Sequence, residues 1–441
     1  MAFRSRTTLI VLGATATLLV IVALIVSTVM NLDRYKPRVI SYLQERTGKQ
    51  VEIGRLALTL FPLAIHIYDF GVRNPPVFPA GHVVTVARIE AEIDPTALLR
   101  RQLIIKSLVL EKPIIHLTSD PDGGWNFENS GARASEKALT LGVITKVEIK
   151  QGELVASNLL PSDAPGPIFF EAHDMSGEFE QVNVDAIIDP SSTSMGGQGS
   201  VKADRLGFGA VDAENLNFKL HLWAKQIFLA DVKAEVYGGR AAGALFFDLS
   251  GKRPRFRTTA RFSGVSLVHL LEPFQNGRGK MTGKMEGELT LAGEIQHSHR
   301  PLAGIHGSGH LTVRNGEVPS LKLNENLMKL VRFNNQGPAK ENPSSFNFIS
   351  TDLELDNLRI VSKVIDIDGY GVDIDGSGSV NVDGSDELNY QGEAKITNKQ
   401  GFFTNTFARL SGATLKDGQL SFPFRVGGTI EEPVFSRGRA D

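Results

Sequence analysis

Two Asp-rich repeats have the spacing closest to a cation site in this sequence. Residues 366–369 read Asp-Ile-Asp-Gly and residues 373–376 repeat the same four letters, which resembles half of a calcium-binding loop. Such a loop also needs a bidentate Glu at its end, and neither copy has one. Because isoleucines alternate with the aspartates, we expect two strands with solvent-facing Asp side chains and tight Asp-Gly turns.

Histidines offer a second possible metal site. His297, His299, His306 and His310 lie close together in the sequence, and imidazole is a common zinc ligand. The last two flank a Gly-Ser-Gly segment that is not helical, so they do not form an i, i+4 pair. We therefore expect solvated loop histidines and no metal site.

Nucleophilic and phosphate-binding motifs are also incomplete. Ser308 and Ser377 each lie between two glycines, but the outer positions do not match the G-x-S-x-G elbow of serine hydrolases. Residues 277–283 are glycine-rich without the spacing of a phosphate-binding loop. The sequence thus supplies no catalytic, cofactor-binding or metal-ligating residue, and we expect a protein that is not an enzyme.

Composition excludes further classes. The chain contains no Cys, which removes disulfides, thiolate metal sites and Cys nucleophiles. A formal net charge of −2 provides no basic patch of the kind that nucleic-acid binding needs. Hydrophobic residues make up 41% of the chain, enough for a large core.

Alternating apolar residues dominate the rest of the sequence. Leu216, Phe218, Leu220 and Leu222 alternate with polar residues, so that one face of a strand is apolar and the other polar. This alternation predicts antiparallel sheet with one buried and one wet face. The same pattern occurs at residues 232–236, 256–262, 281–291, 380–382 and 422–426.

Other local signals punctuate these strands. Leucines alternate over residues 56–60 and change phase after Phe61-Pro62, which predicts a bulge or corner. Three glycine-rich segments, near residues 197, 307 and 376, are expected to lead into strands. Residues 129–136 are a candidate linker and residues 189–199 a loop. Helical period and capping residues predict helices at residues 33–48, 94–99, 266–274, 323–333 and 401–410.

The N-terminus carries the clearest single signal. Residues 9–30 contain no charge, and about 20 such residues cross a bilayer as a helix. Arg4 and Arg6 precede them. A cleaved signal peptide is the alternative, but its apolar part would be shorter and would end in small residues. We expect an uncleaved membrane helix, followed at residues 33–48 by an amphipathic helix at the membrane surface.

The order of these segments resembles the AsmA family of bacterial envelope proteins. The match runs from the basic start and membrane helix through Val51-Glu-Ile-Gly to Asp94-Pro-Thr-Ala-Leu-Leu. Its most specific part ends in Asp122-Gly-Gly-Trp-Asn-Phe, a DG-x-x-N turn. The C-terminal half also looks similar, at Val236-Tyr-Gly-Gly, at residues 265–271 and at residues 424–433.

The resemblance implies a fold and a place in the cell. The fold is a long curved antiparallel β-sheet with an apolar, taco-like groove and short helices. About 20 strands at about 4.8 Å would extend on the order of 100 Å. The expected segments are a cytoplasmic start (1–8), an inner-membrane helix (9–30), an AsmA-like N-terminal region (31–128), a linker (129–139) and a periplasmic β-rich region (140–441).

Three functions compete at this point. The resemblance implies a role in outer-membrane homeostasis through handling or transport of phospholipid, with Leu216, Phe218, Leu220 and Leu222 as candidate groove residues. The second is a membrane-tethered protein that binds envelope proteins and modulates outer-membrane protein assembly without carrying lipid. The third is an envelope hydrolase, which the incomplete motifs disfavour.

Overall fold

A computed structural model describes residues 32–438, except 101, 103, 122–123, 128–141, 161–164, 189–191, 209–210, 252–253, 273–280, 295–302, 320–321, 331–344 and 398–403. The predicted β-rich class is confirmed, because these described residues form 21 strands of one sheet. The chain divides into two compact units, Met1–Gly209 with Lys219–Ala224 (unit 1), and Ala210–Phe218 with Lys225–Asp441 (unit 2). The predicted membrane helix and linker lie outside the described residues, among which no helix is long and apolar enough to span a membrane.

Unit 1 begins with a short 3-10 helix, Leu32–Tyr35, followed by α1, Lys36–Thr47. Two further short helices are α2, Pro95–Leu99, and α3, Val184–Ile188. Its strands are β1 Val51–Glu52, β2 Arg55–Leu60, β3 Leu63–Arg73, β4 His82–Ile93, β5 Ile105–Ser119, β6 Val143–Leu159, β7 Pro165–Asn183 and β8 Met195–Phe208. Strand β9, Val211–Trp223, is divided between the two units.

Unit 2 contains three short helices, α4 Leu267–Leu271, α5 Leu323–Leu330 and α6 Asn405–Ser411. Its strands are β10 Gln226–Val236, β11 Gly239–Asp248, β12 Arg255–Ser266, β13 Lys284–Glu294, β14 Ile305–Glu317, β15 Ser345–Asp356, β16 Arg359–Gly369, β17 Val372–Asn381, β18 Leu388–Thr397, β19 Thr414–Lys416, β20 Gln419–Gly428 and β21 Pro433–Arg437. From β10 to β18 each strand pairs antiparallel with the next.

Helix α1 forms where the sequence predicted it but is anchored differently. Gly48 ends the helix in the left-handed conformation, with φ of 64°, as expected for a C-terminal Gly. The N-cap position is Tyr35 and not Asp33, and the Asp33 Oδ1 accepts a hydrogen bond from the Leu56 N–H at 2.8 Å. The helix packs on β1–β3 through Val39, Ile40 and Leu43.

The phase change at Phe61-Pro62 is a hairpin turn, not a bulge. Leu60 pairs directly with Leu63, so only two residues connect β2 and β3. Directly opposed residues share a face, and the alternation must therefore shift by one position across the turn. Phe61 is 84% exposed at its tip.

A charged network lies on the opposite face of this hairpin. His66 is buried, and its Nε2 is 2.7 Å from the Thr59 hydroxyl. Arg88 Nη2 donates to Glu90 at 2.7 Å and approaches His66 Nδ1 at 3.3 Å. Burial lowers the pKa of His66, although Glu90 acts in the opposite direction.

Strands β5 and β6 are parallel, which corrects the expectation of a fully antiparallel sheet. The segment that follows β5 contains the DG-x-x-N turn. Asp120 Oδ1 accepts from the Gly124 N–H at 2.7 Å, and Asn126 turns back onto the strand. Its Oδ1 accepts from the Thr118 N–H at 3.0 Å, and its Nδ2 donates to the His116 carbonyl at 2.8 Å.

Several loop expectations were wrong. Strand β8 begins at Met195, within the predicted loop at residues 189–199. The three glycine-rich segments lie inside β8, β14 and β17 instead of preceding strands. His306 and His310 are likewise strand residues of β14. His297 and His299 lie outside the described residues.

Candidate functional site

One face of unit 2 is apolar across its successive strands. The strand register places directly opposed residues on the same face, so the face can be followed from β10 to β20. One such row is Val232, Gly243, Ala260, Leu289, Gly309, Leu353, Ser362, Gly378, Tyr390 and Val426. A neighbouring row is Leu229, Leu245, Thr258, Leu291, Gly307, Leu355, Ile360, Val380 and Leu388. We call these rows and their neighbours the apolar face of unit 2.

The other face of the same strands carries the charges. On β12 the exposed residues are Arg255, Arg257, Thr259, Arg261 and Ser263. Cross-strand ion pairs connect Arg261 with Glu288 at 3.3 Å and Arg314 with Glu286 at 2.6 Å. Such exposed pairs contribute only about 0–1 kcal/mol each, but they identify the solvated side. The apolar side is therefore the one available for a hydrophobic partner.

The apolar face is closed at its C-terminal end and partly open elsewhere. At β20, Leu420 and Phe422 are 0% and 1% exposed because Leu327 of α5 and Ala408 of α6 pack over them. In the middle of the sheet, Leu289, Leu291 and Leu353 remain partly exposed. Partly exposed apolar residues in contiguous rows mark a surface suited to an apolar ligand.

Glycines lie within this face where the backbones come very close. A Cβ on Gly309 would overlap the Glu288 carbonyl oxygen, and one on Gly307 would overlap the Thr290 carbonyl oxygen. Any side chain at these positions would push neighbouring strands apart. The Gly-Ser-Gly segment therefore places Gly on the apolar face and Ser308, an exposed residue, on the polar face.

A hydroxyl pair interrupts the apolar face near its closed end. Ser362 and Tyr390 flank Gly378 in the register, and their hydroxyl oxygens are 3.4 Å apart. Burial raises the pKa of Tyr390, so its hydroxyl is neutral and can donate or accept a hydrogen bond. This pair places two hydroxyl groups within the apolar face, and its residues carry no recognisable motif in the sequence.

The Asp repeats form the two strands that the sequence predicted. Asp366 pairs with Asp375 and Asp368 with Asp373, while Ile367 pairs with Ile374 on the other face. Burial raises the pKa of Asp373, and the nearby Asp368 and Asp366 raise it further. Within the described ranges, no group of three or more His, Asp or Glu side chains is placed to hold a metal ion.

The predicted groove residues lie on β9. Leu216 is buried, and Phe218, Leu220 and Leu222 are partly buried, whereas Asn217 and Lys219 between them are exposed. Leu216 and Phe218 belong to unit 2, and Leu220 and Leu222 belong to unit 1. Their contact with lipid stays a prediction.

Comparison with known proteins bears on the first part of the chain. The model of the AsmA family matches residues 3–158, which include the uncharged N-terminal segment, α1 and the DG-x-x-N turn. No curated protein matches the sequence. The similarities seen at Val236 and beyond lie outside the matched range and stay predictions. Over residues 3–158 the chain is similar to the AsmA family, which confirms within that range the resemblance drawn from its motifs.

Proposed function

We propose that this protein is a non-enzymatic, inner-membrane-anchored periplasmic protein whose apolar β-groove handles phospholipid for outer-membrane homeostasis. The observation that carries the proposal is the apolar face of unit 2, with partly exposed Leu289, Leu291 and Leu353 in contiguous rows. The AsmA-family match supports a role in the bacterial envelope. Residues 9–30 supply the anchor in this proposal.

Acyl chains suit the apolar face on energetic grounds. Each methylene removed from water contributes about 0.8 kcal/mol, so a chain lying across several strands gains free energy without any specific polar contact. The solvated opposite face, with pairs such as Arg261–Glu288, keeps the body soluble while lipid is bound. Lipid can therefore bind through surface area alone, which fits the motif-poor sequence.

Site-specific photo-crosslinking tests the proposal. A benzophenone amino acid replaces Leu289 or Phe218 in the full chain, in cells whose phospholipids carry radioactive phosphate. The matched controls replace Thr290 or Asn217, which are exposed neighbours on the same strands. Labelled phospholipid should attach at Leu289 and Phe218 and not at the controls.

Two results would count against the proposal. Adducts with another envelope protein, without lipid, would support the membrane-tethered interaction function. Equal lipid labelling at Leu289 and Thr290 would show random contact with membrane and would contradict the groove.

Phe218→Asp gives a second test of the predicted groove. In an open groove the carboxylate keeps some water, so the fold survives and lipid labelling falls. In a closed core the unpaired charge costs several kcal/mol and the protein unfolds. Leu420→Asp, at a side chain with 0% exposure, shows what the closed-core outcome looks like. A Phe218→Asp variant with normal melting and wild-type lipid labelling would remove β9 from the groove.

A further inference from the structure

Helix α1 fixes the direction in which the chain leaves unit 1 toward its N-terminus. At the start of the helix, Lys36 Nζ donates to the Gly54 carbonyl at 2.9 Å. At its end, Gly48 leads to Gln50, whose carbonyl accepts from the Arg73 N–H at 2.9 Å. Traced backward, the helix therefore runs from the Arg73 end of β3 toward the Leu63 end. Leu32, where the described chain begins, is next to Asp33, whose Oδ1 accepts from the Leu56 N–H, and so lies on the Leu63 side of Gly54.

Several turns and strand starts gather at the Leu63 end of the sheet. The Phe61-Pro62 turn joins β2 to β3 there. The segment between β4 and β5 returns there, since the Asp94 N–H bonds the Ile104 carbonyl at 2.9 Å. Strand β6 starts at the same end because it is parallel to β5. Strand β7 ends there, since its last residue, Asn183, pairs with Val143 at the start of β6. Helix α3 follows β7 directly, so β8 starts at this end too. We call this set the hairpin edge of unit 1.

Large apolar side chains at this edge face solvent. Phe61 is 84% exposed. An exposed apolar residue also lies at the start of each of β5, β6 and β8: Ile104 at 41%, Val143 at 44% and Met195 at 42%. Arg100 is also exposed there, and Arg101 follows it in the sequence. An apolar rim with the exposed Arg100 beside it has the chemistry of a surface that enters the interface of an anionic bilayer.

We propose that the hairpin edge of unit 1 rests on the lipid bilayer, with Phe61 inserted at the interface. The uncharged segment 9–30 ends just before Leu32, so the membrane surface lies close to the start of the 3-10 helix. Asp33 is hydrogen-bonded to Leu56, and the five residue steps from Leu56 to Phe61 extend about 17 Å along the strand. The Phe61 turn thus reaches at least the level at which the chain enters the bilayer.

The opposite end of unit 1 is the natural comparison. It also exposes apolar residues, including Val77 at 71%, but it lies at the Arg73 end of β3, which is the end of α1 opposite to the start of the described chain. Exposure alone therefore does not identify the membrane-facing edge; the direction of α1 identifies it. The inference rests on the membrane anchor of the proposed function and assigns a surface to it.

The absence of Cys allows a clean test. Phe61→Cys, Ile104→Cys and the control Val77→Cys are each labelled with the fluorophore NBD in the full chain. The labelled proteins are reconstituted into vesicles of phosphatidylethanolamine and phosphatidylglycerol that contain a doxyl-labelled quencher lipid. We expect blue-shifted emission and at least about twofold quenching at positions 61 and 104, and neither effect at position 77.

The outcomes separate this inference from the anchor. Extraction of the vesicles with alkaline carbonate reports on residues 9–30. Protein that resists extraction but shows equal, weak quenching at positions 61, 104 and 77 overturns the edge assignment and leaves the anchor intact. Protein that carbonate releases refutes the anchor, and the edge assignment with it.

Discussion

Asn126→Ala should destabilise unit 1 by more than the loss of a short side chain would suggest. The side chain is 0% exposed and makes three hydrogen bonds. Its Oδ1 accepts from the Thr118 N–H at 3.0 Å, and its Nδ2 donates to the His116 carbonyl at 2.8 Å and to Asn74 Oδ1 at 3.1 Å. Alanine at position 126 removes all three hydrogen bonds at once and supplies no polar atom to replace them.

The size of the loss in unfolding free energy follows from the backbone groups that are left without a partner. A buried donor or acceptor without a partner costs about 1–3 kcal/mol. The Thr118 N–H and the His116 carbonyl both lose the partner that Asn126 supplied, whereas Asn74 is partly exposed and can turn to water. We therefore expect the free energy of unfolding to fall by about 2–4 kcal/mol.

Tryptophan fluorescence during urea unfolding measures the effect locally. The chain has 2 Trp, so Trp223→Phe leaves Trp125, the residue next to Asn126, as the reporter. Asn126→Asp is the informative partner variant because it keeps the acceptor for Thr118 and loses both donors. Asn217→Ala, at an exposed position, is the matched control and should shift stability by less than about 0.5 kcal/mol. An Asn126→Ala midpoint equal to that control would refute the reasoning.

Two further predictions concern pH and topology. Because burial lowers the pKa of His66 below its ordinary value of 6.5, the unfolded chain binds more protons between those two pKa values. Stability should therefore fall as the pH drops through 6.5 toward the lowered pKa of His66. His66→Gln should remove this part of the slope in urea midpoints, and an unchanged slope would contradict the reasoning. Protease added to spheroplasts should digest the body of the protein, whereas a protected body or a mature N-terminus near Asn31 would contradict the proposed topology.

Period and local chemistry predicted much of the fold correctly. The alternation at residues 216–222 became β9, and Gly48 ended α1 as expected. Helix α2 also begins after its predicted cap, since Asp94 Oδ1 accepts from the Thr96 N–H at 2.8 Å. These features depend on neighbours within a few residues, which is the range over which sequence patterns act.

Features set by distant partners were missed. Asp33 is a residue type that favours the helix N-cap, but its carboxylate accepts a hydrogen bond from the distant Leu56 N–H. Gly309 looks like a turn residue, yet it lies in strand β14. Glycine is needed there because the β13 backbone leaves no room for a side chain. The apolar face is similar: alternation identifies apolar sides strand by strand, but only the register shows that Leu289 and Leu353 are adjacent to Gly309 on one continuous face.

The strand order of unit 2 also has a consequence for how the protein is made. From β10 to β18 every strand pairs with its neighbour in sequence, so most pairings join residues that are near in the chain, and the contact order is low for a β protein. Such a sheet can grow one hairpin at a time from its N-terminal side while the rest of the chain is still unfolded. Each completed strand then serves as the template for the next, and only one unpaired edge is exposed to aggregation at any moment.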